Sequence, residues 1–198
     1  MTRRPWPDHL DDDLRARLEA AYGDGTRGYH DVRHLEEVLG HVEQLLAPGD
    51  PAHEAVLLAA WFHDAVYDGQ GDDEERSARL AESWLAEAGV AVELREEVAR
   101  LVRLTAGHRP AEDDRAGQVL CDADLAILAA EPERYASYVA GVRAEHAHVP
   151  DDAFATGRTA VLADLLEKQT LFHTPAARER WEAKARANVA REISSLAR

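Results

Sequence analysis

Four residues of this chain could ligate a cation: His34, His63, Asp64 and Asp124. Each interrupts an apolar stripe at helical spacing, so each is directed inward. His34 continues the face of Val38, Val42 and Leu45, and His30 lies one turn before it. His63 shares a stripe with Val56, Ala59 and Tyr67, while Asp64 shares the adjacent one with Leu57 and Ala60. Val98, Leu101, Val102 and Thr105 lead to His108, and Leu120, Asp124 and Leu128 align, with Asp122 two residues before Asp124. An unpaired buried carboxylate is costly, and a buried imidazole must satisfy both nitrogens. A shared cation explains the convergence economically. Two His and two Asp suit one divalent ion such as Mn²⁺, Fe²⁺, Co²⁺, Ni²⁺ or Zn²⁺. Four protein ligands on an octahedral ion leave about two positions for water and substrate.

Each residue also has a structural alternative. His34 and His108 could be hydrogen-bonded core histidines, and one member of His63-Asp64 could cap or orient the other. Asp122 and Asp124 could be helix N-terminal carboxylates favoured by the dipole.

The elements that must position these groups are helical. The chain is rich in Ala, Leu, Glu and Arg and poor in β-branched runs. Punctuation predicts nine helices, over 9–21, 31–47, 51–67, 74–88, 91–106, 117–129, 132–147, 151–171 and 175–197. Pro48-Gly49 stops the second, Pro51 opens the third, and Thr174-Pro175 caps the last. A loop covers 23–28 and a Gly- and Asp-rich one 68–73. The third helix, with AVLLAAWF, is apolar all round and therefore central. With no repeat or long linker, 1–198 is expected to be a single all-α domain of eight or nine helices, its core at about 28–130 and helices of 131–198 packed on it.

The sequence resembles the HD phosphohydrolase superfamily through His34, then His63-Asp64 closing an apolar helix, then Asp124 in CDADLAIL. The runs RGYHDVRHLEEVL, WFHDAVYD, DEERSARLAE, TAGH and YVAGVRAEH are similar to a bacterial group of small predicted HD hydrolases. With GRTAVLADLL and the ARANVAREI tail, the resemblance covers nearly the whole chain. It implies a helical fold and hydrolysis of a phosphoester or phosphoanhydride, often in a nucleotide. It also implies one divalent metal (Mn, Fe, Co, Ni, Zn or Mg) on His34, His63, Asp64 and Asp124, with Asp122 as the second choice for the last ligand. The cation would lower the pKa of bound water and polarise a phosphoryl oxygen, with Asp64 also orienting that water. Where some nucleotidase relatives carry a Glu three residues after the HD pair, this chain has Tyr67. Glu74 or Glu75 are candidates for proton transfer, as is His108. Arg27, His30, Arg143 and Arg158 are candidate substrate contacts, since guanidinium forks suit phosphate. Arg158 shares a stripe with Phe154, Val161 and Leu165, and an internal ion pair, for example with Glu145, is its alternative.

A net charge of −15 argues against a general nucleic-acid binder and requires a phosphate to be held locally. The single cysteine, Cys121, precludes an internal disulfide and suits a reducing compartment, so a cytoplasmic location is expected. No apolar run approaches a membrane span. The expected partner is a small phosphorylated substrate, with a homodimer as the base-rate assembly. Two rival readings remain: a non-catalytic metal- or nucleotide-binding module, and a di-iron oxygenase on the same scaffold. The second is disfavoured because only His108 lies between Asp64 and Asp124.

Overall fold

The computed structural model describes residues 4–197 apart from Asp24, Pro48 and Gln70. Pro48 of the predicted stop after the second helix therefore lies outside the described residues, as do Met1–Arg3 and Arg198 of the predicted 1–198 domain and one residue in each of the two predicted loops. Among the described residues there are nine α-helices and no strand: α1 Asp12–Tyr22, α2 Val32–Leu45, α3 His53–Phe62, α4 Asp73–Glu87, α5 Val92–Leu104, α6 Arg115–Leu125, α7 Pro132–Glu145, α8 Asp151–Glu167 and α9 Pro175–Leu196. A short 3-10 turn, Ala126–Ala129, extends α6. None of these helices is long and apolar enough to cross a membrane.

The architecture rests on α3, eight of whose ten residues are buried. Trp61 and Phe62 are fully buried in an apolar cluster built from α1 to α6. A second cluster joins Tyr29 and Leu128 to α7, α8 and α9. Asn188 ties α9 to the 3-10 region that follows α6, donating to the carbonyls of Leu128 (2.8 Å) and Ala130 (3.0 Å).

Several boundaries differ from the sequence reading, some through local caps and some through tertiary contacts. The third helix was expected over 51–67. It starts at His53, because Asp50 accepts from the Ala52 amide and makes Pro51-Ala52 a turn. It stops at Phe62, because its terminal carbonyls find partners from elsewhere in the chain. The Tyr22 hydroxyl donates to the Trp61 carbonyl and accepts from the Asp64 amide, both at 3.2 Å. Arg27 reaches the carbonyls of Asp64 (2.6 Å) and Ala65 (3.1 Å). Helix ends leave such carbonyls unsatisfied, and these two side chains supply what further helix would have supplied. At the start of α6, Asp114 accepts from Gly117 and draws the helix two residues earlier than the predicted 117. The predicted 151–171 helix ends at Glu167.

One close approach matters for the site. Gly28 and Gly141 meet backbone to backbone, and a Cβ on either would overlap the other's carbonyl. Only glycine permits this contact, which draws α7 against the loop leading into α2.

Candidate metal centre

Three helix ends deliver the donor atoms. His34 lies in the first turn of α2, where Asp31 accepts from the amides of Arg33 (2.9 Å) and His34 (3.1 Å) and fixes the turn. His63 is the C-terminal cap of α3, and Asp64 follows it. Asp124 is the penultimate residue of α6. His34 and His63 are almost wholly buried.

His34 Nε2 lies 3.0 Å from His63 Nε2, and 3.3 Å from both Asp64 Oδ2 and Asp124 Oδ1. His63 Nε2 is 3.1 Å from Asp64 Oδ2 and 3.7 Å from Asp124 Oδ1. Nitrogen and oxygen ligands sit about 2.0–2.2 Å from a small divalent ion, so neighbouring ligands are roughly 3–3.5 Å apart. The separations here match that spacing. Among the described residues His34, His63 and Asp124 form a group that could hold a metal ion, and Asp64 borders both imidazoles. His63 Nδ1 donates to the Ala60 carbonyl at 2.8 Å, which leaves the Nε2 lone pair directed at the cluster.

The electrostatics make the same demand. Burial opposes charge on His34, yet its hydrogen bonds to Asp124 and Asp64 win and push it up to about 10. His63 rises for a similar reason, burial being outweighed chiefly by Asp64. Asp64 and Asp124 are held well below the ordinary carboxylate range: the neighbouring imidazoles, with His108 the largest contributor for Asp124, outweigh burial. The cluster is thus a buried pocket that requires positive charge, whether protons or a metal ion supply it. A His34, His63 and Asp124 group able to hold a metal ion is present.

Around it the remaining predicted residues divide into two sets. His108, in a left-handed conformation (φ 48°), places Nε2 2.7 Å from Asp124 Oδ2. His30 stacks on Tyr67 with ring centres 4.0 Å apart. Both line a cavity of about 570 Å³ that opens from Asp124, and so do Tyr67, Glu74 and Arg158. Arg158 is anchored as it enters: Nε donates to Glu192 at 2.8 Å and Nη2 to the Tyr138 hydroxyl. The internal ion pair offered as its alternative is present, with Glu192 in place of Glu145, the example given.

The others are not brought to the cavity. Arg27 spends its guanidinium on the carbonyls of His30, Asp64 and Ala65, so its place is structural. Arg143 binds Asp151 and the carbonyls of His146 and Val149, closing the turn between α7 and α8. Glu75 faces outward, held by Arg103 at 2.6 Å and Arg79 at 2.8 Å, while its neighbour Glu74 faces in. Asp122, the second choice for the last ligand, instead accepts from the amides of His173 and Thr174 at 2.7 Å each and ties α6 to the start of α9.

Glu145, named from the sequence only as an example of a partner for Arg158, supports the site in another way. One oxygen accepts from the amides of Gly28, Tyr29 and His30 (3.0, 2.7 and 2.9 Å). The other meets His30 Nδ1 at 2.9 Å and the Tyr67 hydroxyl at 3.2 Å. Burial works against its charge, but His30 and these amides hold its pKa down at about 2. The Gly28–Gly141 contact is what brings it within reach. Tyr29, packed on His34 with ring centres 4.7 Å apart, carries a buried hydroxyl with no hydrogen-bond partner among the described residues. No local spacing in the sequence signalled it.

Comparison of the chain with protein-family models, curated proteins and solved structures gave no match.

Proposed function

We propose that this protein is a metal-dependent phosphohydrolase that cleaves a phosphoester or phosphoanhydride bond in a small phosphorylated metabolite. The observation that carries the reading is the convergence of four charged or ligating side chains, at ligand spacing, one of which, Asp124, also lines a cavity. The resemblance to the HD superfamily supports it, since the same four residues carry that likeness. His34, His63, Asp64 and Asp124 would hold the ion. When bound, it supplies Lewis acidity at a phosphoryl oxygen and a more acidic water.

The chain's own groups have definable tasks. The Ala60 carbonyl and the α2 cap keep the two imidazoles in register. Asp124 is shared: Oδ1 serves the cluster and Oδ2 fixes the His108 ring. With Nε2 engaged there, His108 Nδ1 is the atom left to pass a proton to the departing oxygen. Arg158, with its charge partly spent on Glu192, orients the phosphate. Water adds to phosphorus, the ester P–O bond breaks, and alcohol and phosphate leave. One donor group of this kind is found among the described residues, which favours one ion over the two of an oxygenase.

The test is metal content of the purified protein together with phosphate release under several divalent ions. About one ion per chain and metal-dependent release are expected, with both abolished in His63→Ala and Asp64→Ala while helicity persists. Full activity in either variant would overturn the assignment.

A further inference from the structure

One wall of the cavity is α8, and it is the least buried helix of the fold. Of its seventeen residues only Leu162 is buried. Ala153, Phe154, Gly157, Arg158, Val161 and Leu165 nevertheless share one helical face, and all six line the cavity. Val161 is 57 % exposed, one of two large apolar side chains so placed among the described residues. The opposite side is also apolar, with Leu125, Ile127, Leu128 and Val142. Among the described residues the polar side chains of the lining, apart from its carboxylates, are tyrosines, histidines and Thr105, with no Asn, Gln or Ser, and Arg158 is its one Lys or Arg. That arginine already faces Glu192, while Glu74 and Asp124 add negative charge.

Gly157 sharpens the picture. It lies in mid-helix, where glycine is about 1 kcal/mol less favourable than alanine. A Cβ there would meet nothing within 4 Å, so no packing requires glycine. What the missing side chain leaves is open volume in the cavity wall.

Resting on the phosphohydrolase reading, we infer that the substrate is a phosphomonoester with an apolar leaving group, aliphatic or aromatic, rather than a nucleoside polyphosphate. The single phosphate sits at the Asp124 end, and the organic group lies along the α8 face past Gly157. A polyphosphate would bring three or more negative charges to a lining whose one guanidinium among the described residues is already paired with Glu192.

Calorimetry on the Mn²⁺-loaded protein, at matched free Mn²⁺, tests this with phenylphosphonate, methylphosphonate and ATP. Phenylphosphonate should bind at least tenfold tighter than either of the others. Gly157→Leu, whose Cβ meets nothing within 4 Å, should lower the phenyl-over-methyl preference at least tenfold at unchanged metal content. Equal affinity for the two phosphonates, or tighter binding of ATP, overturns the inference. If ATP is preferred and also hydrolysed, the phosphohydrolase reading survives; if nothing binds or turns over with the metal in place, both fall.

Discussion

Two helices beside the candidate site, α3 and α8, are opposites. α3 buries eight of its ten residues and ends in His63, whose ring is locked by the Ala60 carbonyl. α8 buries one of seventeen and turns its apolar face to open volume. His63, which must keep a fixed geometry, is set by the most constrained helix, and the surface that would meet a variable organic group belongs to the least constrained. Packing density sets how precisely a side chain is held, so the division follows from where each helix lies.

The contrast breaks first, and most visibly, in stability. Phe62→Ala should cost about 3–5 kcal/mol, because a fully buried ring next to Trp84 leaves a cavity that the core cannot close. Val161→Ala should shift stability by no more than about 0.5 kcal/mol, since its side chain is mostly in solvent. Chemical denaturation of both variants checks the pair, and a loss of several kcal/mol at Val161 would mean that α8 is packed after all.

A middle-sized effect comes from Glu145, which joins the two sides by holding α7 to the loop before α2. Its folded pKa, about 2, lies below the ordinary 4.5, so the carboxylate stabilises the fold above pH 4.5 and the contribution fades as pH falls towards 2. The full contribution is roughly 2–3 kcal/mol. Glu145→Gln should therefore lower the melting temperature at pH 7 and flatten its decline between pH 4.5 and 3. Parallel curves for the two proteins would remove Glu145 from that role.

The sequence makes the inward stripes legible because they are local. His34, His63 and Asp124 lie where helical spacing directs them, and the stripe through Phe154, Arg158, Val161 and Leu165 faces one cavity. Asp122 and Asp124, two residues apart on α6, must face different ways, and periodicity alone does not say which faces the cluster. The early end of α3 depends on Tyr22 and Arg27, and the partner of Arg158 is Glu192, 34 residues on. Glu145 reaches amides more than a hundred residues away through a contact that two glycines permit. Such pairings are properties of the assembled fold, and no periodicity encodes them.

The smallest predicted effect is also the most selective, because it runs against the usual direction of mutation. Gly157→Ala should stabilise the protein by about 0.5–1 kcal/mol, through reduced freedom of the unfolded chain and better helix propensity. Most substitutions destabilise, so a gain at a position chosen from geometry alone is informative. The mid-helix glycine has no neighbour within 4 Å of an added methyl group, which removes the packing reason for its presence. A rise in the denaturation midpoint, with the slope unchanged, would show that the fold gives up stability to keep this stretch of α8 bare. A fall would mean that the methyl meets something, so the volume beside Gly157 would be already taken and α8 would resemble α3 more closely than its exposure suggests.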